Sequence, residues 1–139
     1  MVCRDLGSLI DDAGRDGFGG PFDWKSGALA EGLRCYRRGE FLEAHEHWES
    51  VWLLLDEPEK SFLQALIQTA AAFHHYNAGN AAGAASLLRR ALRRLEVCPA
   101  EFRGVAVGRL RAEVRVWVKA LEDGVEACPE QAPEIVAAR

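Results

Sequence analysis

The sequence predicts an all-α fold: a single-domain bundle of about five helices built on two tetratricopeptide-like helical hairpins. Three observations point to it. From Trp24 onward, apolar residues recur at three- and four-residue spacing, the period of a helix with one buried face. No alternating apolar–polar run is long enough to read as a strand. The third observation is an internal likeness. YRRGEFLEAHEHWESVWLLL, from Tyr36, parallels YNAGNAAGAASLLRRALRRL, from Tyr76. Tyr36 aligns with Tyr76, Gly39 with Gly79, Ala44 with Ala84 and Leu55 with Leu95. In each copy a glycine ends one helix and a small alanine lets the next pack closely. The spacing exceeds the roughly 34 residues of a tetratricopeptide repeat, and only two copies are visible, so a closed bundle is expected rather than an open solenoid.

Taken in order, residues 1–23 read as a partly irregular N-terminal extension. Leu6, Leu9, Ile10 and Ala13 could form a short helical patch before a stretch rich in glycine. The helical domain is expected over 24–128, with helices at about 25–38, 40–55, 59–78, 81–97 and 105–124. Residues 129–139 read as a short, irregular C-terminal tail. At 139 residues the chain can hold one domain with a substantial core. Its net charge of −4 makes no case for nucleic acid or an acidic membrane surface. No apolar run approaches the roughly 18 residues of a membrane span. The start, MVCRDLGSLIDD, places charge where a signal peptide needs apolar residues, so a cytoplasmic location is expected. Cys3, Cys35, Cys98 and Cys128 fit no metal-binding spacing and read as small apolar residues.

The stretch with chemistry in it is HEHWES, residues 45–50. It is one residue type short of the zinc-protease signature H-E-x-x-H, because Glu49 stands where the second histidine belongs. Helical phase puts Phe41, Ala44, Trp48, Val51, Trp52 and Leu55 on one arc, with His45 and Glu49 inside or beside it. His45, Glu49 and Trp52 are therefore expected to be buried, and Glu43 and His47 to face water. A buried histidine and carboxylate need partners. The strip Ser61, Gln64, Gln68 and His75 on the next helix, uncharged among alanines, is the expected source. His74 is expected in the core. The candidate polar cluster is thus His45, Glu46, Glu49, Trp52, Gln64, Gln68 and His75. On the fourth helix, Arg89, Arg90, Arg93 and Arg94 form either a solvated face or a site for an anionic partner. No aromatic residue interleaves them, which argues against single-stranded nucleic acid.

At EAHEHWESVW and FLQALIQTAAAFHHYNAGNAAGAASLLRRALRRL the chain resembles the helical family catalogued as domain of unknown function 309. The family pattern runs H-E-x-x-E-x-x-W, then Q-G-L-I-Q, then a G-N-x-x-G-A turn. The matching residues are His45, Glu46, Glu49 and Trp52; Gln64, Leu66, Ile67 and Gln68; and Gly79, Asn80, Gly83 and Ala84. Ala65 departs from the pattern, standing where the family has glycine. The resemblance covers residues 24–97. It implies an all-helical fold and no known activity, so no catalytic residue is carried over.

The functional expectation is a small cytoplasmic interaction or small-ligand-binding module with a buried His/Glu/Gln cluster. The alternative is a metal-assisted hydrolase with His45 and Glu49 as ligands and Glu46 as base. No cofactor or metal is expected. If a metal were present, His45 and Glu49 would be its ligands. The partner is an unknown protein or small molecule, not nucleic acid or membrane, and a homo-oligomer is possible.

Overall fold

A computed structural model describes residues 22–137. The expected N-terminal helical patch and Cys3 lie outside them. Five helices follow in order: α1 (Gly27–Arg37), α2 (Phe41–Trp52), α3 (Glu59–Asn77), α4 (Ala81–Glu96) and α5 (Val107–Asp123). The fold is all-α apart from one very small hairpin. Its strands, β1 (Glu101–Phe102) and β2 (Val105–Ala106), pair antiparallel between α4 and α5.

The two helical hairpins close on the same turn, bond for bond. In the first, Gly39 N–H donates to the Tyr36 carbonyl at 3.1 Å and Glu40 N–H to Cys35 at 2.8 Å. In the second, Gly79 donates to Tyr76 at 3.0 Å and Asn80 to His75 at 2.8 Å. This is the Schellman arrangement, which needs a left-handed residue just past the helix. Gly39 and Gly79 supply it at φ +80° and +84°. Asn80 then caps α4, its side-chain oxygen accepting from Gly83 N–H at 2.9 Å. The Asn80 amide lies where a side chain on residue 83 would start. The aligned alanines, Ala44 and Ala84, are both fully buried.

Aromatic rings link the helices across the core. Tyr36 on α1 meets Phe41 at 5.3 Å; Phe41 meets Phe73 of α3 at 5.6 Å; Phe73 packs edge-on against Trp117 of α5 at 4.8 Å. A second group, Phe22, Trp24, Phe62 and Phe102, covers the small hairpin. The fifth helix starts two residues later than expected because Val105 and Ala106 are taken up by β2. The turn between the strands is Arg103-Gly104, both with positive φ, the shape that suits a tight hairpin. Trp24 Nε1 donates to the Arg103 carbonyl at 2.8 Å.

The segment after Pro129 has no helix, yet it is built into the core. Ile135 is buried among the core residues. Tyr36 donates its phenol hydrogen to the Pro133 carbonyl at 2.7 Å, Arg37 bonds the Ile135 carbonyl at 2.8 Å, and Trp117 Nε1 bonds Gln131 at 3.0 Å. Burial pushes the Tyr36 phenol far above the usual tyrosine range. A group whose folded pKa is raised contributes stability that is fully present below its unfolded pKa and lost as pH rises. Urea midpoints are therefore expected to fall more steeply above about pH 10, after a loss that begins at about pH 8.5, where the Cys35 and Cys98 thiols, also pushed up by burial, start to ionise in the unfolded chain. Tyr36→Phe should shrink that alkaline loss while costing about 1 kcal/mol at neutral pH for the unpaired Pro133 carbonyl. Tyr76, whose phenol burial also raises, leaves a residual slope. An unchanged alkaline slope in the variant would contradict the assignment.

Candidate functional site

The buried stripe of α2 is narrower than the sequence pattern suggests. Ala44, Trp48 and Val51 are its buried residues. Trp48 is fully buried and anchors the stripe by donating Nε1–H to the Leu29 carbonyl of α1 at 3.1 Å. At about 100° per residue, His45 then sits about 90° to one side of the stripe's centre and His47 about 70° to the other. Both are half-buried. His47 thus does not turn to water as expected. Glu49 falls about 130° from that centre, and its side chain is 55% exposed. The expectation that it is buried is overturned. Phe41 and Trp52, counted with the stripe in the sequence, are only its half-buried shoulder, and including them rotated the apparent centre toward Glu49. Leu42 and Leu53, which lie beyond Glu49 on the side away from the stripe, are themselves exposed.

His45 Nε2 lies 3.7 Å from Glu49 Oε2, beyond hydrogen-bond length. Glu46 and Glu43 are exposed. Trp52 is half-buried, with the Lys60 ammonium 4.2 Å from its ring, a cation–π contact across the α2–α3 connection. On α3, Gln68 is buried and Gln64 and His75 are half-buried. His74 is exposed, not in the core as expected: α3 packs through Phe73 at that level, and the next residue turns outward.

Among the described residues no hydrogen bond joins the polar strip of α3 to His45 or Glu49. Its side-chain hydrogen bonds go to α4 and the turn before it. Arg94 Nη1 donates to Ser61 Oγ at 3.3 Å, and Asn80 Nδ2 lies 3.4 Å from His75 Nδ1. Ser61 and Gln68 line a groove of about 360 Å³ together with Arg90, Arg93, Arg94 and Val97. A signal for this was present in the sequence. The turn from α3 to α4 is shorter than the connection from α2 to α3, so the arginine helix is the neighbour an α3 strip meets first.

Three buried polar side-chain atoms have no hydrogen-bond partner within the described residues: His45 Nδ1, Trp52 Nε1 and Gln68 Oε1. All three belong to the cluster picked out from the sequence. They offer an N–H donor, an amide acceptor, and an imidazole nitrogen whose role its tautomer sets. No three His, Cys, Asp or Glu side chains among the described residues converge closely enough to hold a metal ion. The His45/Glu46/Glu49 hydrolase therefore lacks a gathered ligand set. Among the described residues Cys35, Cys98 and Cys128 form no disulfide, and Cys98 donates to the Arg94 carbonyl at 3.4 Å. No helix among the described residues is long and apolar enough to cross a membrane.

Comparison with known proteins agrees with the motif reading. The chain is 36% identical over 85 residues to an uncharacterized protein of Aquifex aeolicus (strain VF5), a match over 60% of this chain and 26% of that protein. The matched region thus spans about a quarter of the relative's length. Residues 29–87 match the family model described as Domain of unknown function (DUF309), a narrower span than the 24–97 read from the motifs. That span holds His45, Glu49, Trp52, Gln64, Gln68 and both Schellman turns, and over it the chain resembles the domain-of-unknown-function 309 family.

Proposed function

We propose that this protein is a cytoplasmic binding module that takes a small ligand on the polar side of α2, α3 and α4, and not a metal-assisted hydrolase. The observation that supports this is the group of orphaned polar atoms on His45, Trp52 and Gln68. A buried polar atom without a partner costs about 1–3 kcal/mol. Three of them on neighbouring helices are a standing cost to the free protein, and a ligand that completes their hydrogen bonds would offset it. Sites kept for binding commonly lower the stability of the free protein in this way.

Gln68→Met tests the reading. Methionine keeps the side chain's length and bulk and removes the unpaired amide. In ligand-free protein the variant is expected to be at least as stable as the parent, by urea denaturation followed by circular dichroism. A loss greater than about 1 kcal/mol would show that the amide holds the fold together, and the binding reading would fail.

A further inference from the structure

We infer that the groove between α3 and α4 is an oxyanion site that holds the phosphate group of a small phosphorylated molecule. This deepens the binding-module reading and rests on it. Arg90, Arg93 and Arg94 follow one another at helical spacing and all line the groove. Arg34, Arg38, Arg89, Arg103, Arg109 and Arg115 each pair with a carboxylate. No carboxylate among the described residues pairs with the three groove arginines. The chain carries 21 acidic residues against 17 basic ones, so three cations in one cleft that no described carboxylate pairs with are not a by-product of composition.

The rest of the lining suits the same ligand. Ser61 Oγ accepts from Arg94 at 3.3 Å, which leaves its own hydrogen free to donate into the groove. Gln68, which is only 8% exposed, forms part of the wall; its orphaned Oε1 is an acceptor and calls for a hydroxyl on the organic part of the ligand, not for the phosphate. The Glu57 carboxylate accepts the Ser61 backbone N–H at 3.1 Å, so recognition falls to side chains and not to the start of α3. Guanidinium forks match phosphate oxygens in pairs. A phosphate monoester carries about −1.5 to −2 charges at pH 7, a better match to three arginines than a single carboxylate. A volume of about 360 Å³ exceeds what a phosphate needs. The exposed Val97 at the rim offers an apolar surface for the organic part.

The test is a titration of the full chain, followed by amide NMR shifts, with inorganic phosphate, with glycerol phosphate, and with sodium chloride at matched ionic strength. Saturable shifts in the first turn of α3 and the last turn of α4 are expected with both phosphates and not with chloride. Glycerol phosphate should bind at least as tightly as inorganic phosphate. Arg93→Gln should weaken binding about tenfold or more while leaving the remaining spectrum folded. Arg89→Gln, whose side chain pairs with Glu122 at 3.6 Å, should leave binding unchanged. Absence of saturable shifts, or equal weakening by both variants, would overturn the site. Tighter binding of a short single-stranded oligonucleotide than of glycerol phosphate would overturn the small-molecule assignment. If Gln68→Met is stable but the parent chain binds no phosphate, the ligand class is rejected and the binding-module reading stands.

Discussion

Trp48→Ala is expected to cost the fold about 3–5 kcal/mol in urea denaturation, the range for removing a buried tryptophan. Domains of this size are stable by only about 5–15 kcal/mol, so the variant should be close to unfolding at body temperature. The side chain is fully buried where α1 and α2 meet. Its ring lies 5.9 Å from that of Tyr36, and its N–H holds the Leu29 carbonyl at 3.1 Å. Truncation would leave a large void between two helices whose register this one residue sets. Trp48→Phe should lose less, since it keeps a ring in the void and forfeits chiefly the hydrogen bond. A loss below about 1 kcal/mol for the alanine variant would mean that Trp48 does not organise the hairpin.

Gly32→Ala should be nearly as damaging, at about 3 kcal/mol, for the opposite reason. A methyl group on residue 32 would lie 2.3 Å from Trp48 Nε1 and 2.4 Å from its Cδ1. Overpacking of a closed core costs about 1–3 kcal/mol and occasionally more. Here the indole cannot retreat without giving up Leu29. In isolation the change would favour the helix, since alanine is the better helix former by about 1 kcal/mol. A double-mutant cycle separates the two effects. In a Trp48→Phe background Gly32→Ala should cost much less, because the clash is with the indole. Equal losses in both backgrounds would place the strain elsewhere.

The parts of this fold that rest on local chemistry were legible in the sequence. The ends of α1, α3 and α4 fall within two residues of expectation because glycine turns and an asparagine cap mark them. α2 ends at Trp52, three residues early: Leu53, Leu54 and Leu55 continue an apolar run without a stop signal, yet only Leu55 is buried. The small hairpin escaped notice because two-residue strands show no alternation, and Arg103-Gly104 lacks the Asn-Gly or Asp-Gly signature of a tight turn. At the candidate site the residue types were legible but their directions were not. A shift of a few tens of degrees in the centre of the α2 stripe decides whether Glu49 meets core or water. The stripe's centre is set by Gly32 admitting Trp48 to α1, a contact between helices that no single-helix pattern contains. The same limit hid the groove, where Ser61 and Gln68 find Arg90, Arg93 and Arg94 only once α3 and α4 are set side by side.

The tail that closes over Tyr36 gives this bundle a time course. Its donor and acceptor are separated by 97 positions, whereas the turns of the two helical hairpins close over a few residues. On a ribosome adding roughly 5–20 residues per second, Tyr36 is made on the order of 5–20 seconds before Pro133. In that interval α1 and α2 can pair, but the phenol, the Arg37 guanidinium and the edge of β2 still lack their eventual partners at Pro133, Ile135 and Val136. Helix α1 is therefore completed by a segment that lies 97 positions further along the chain.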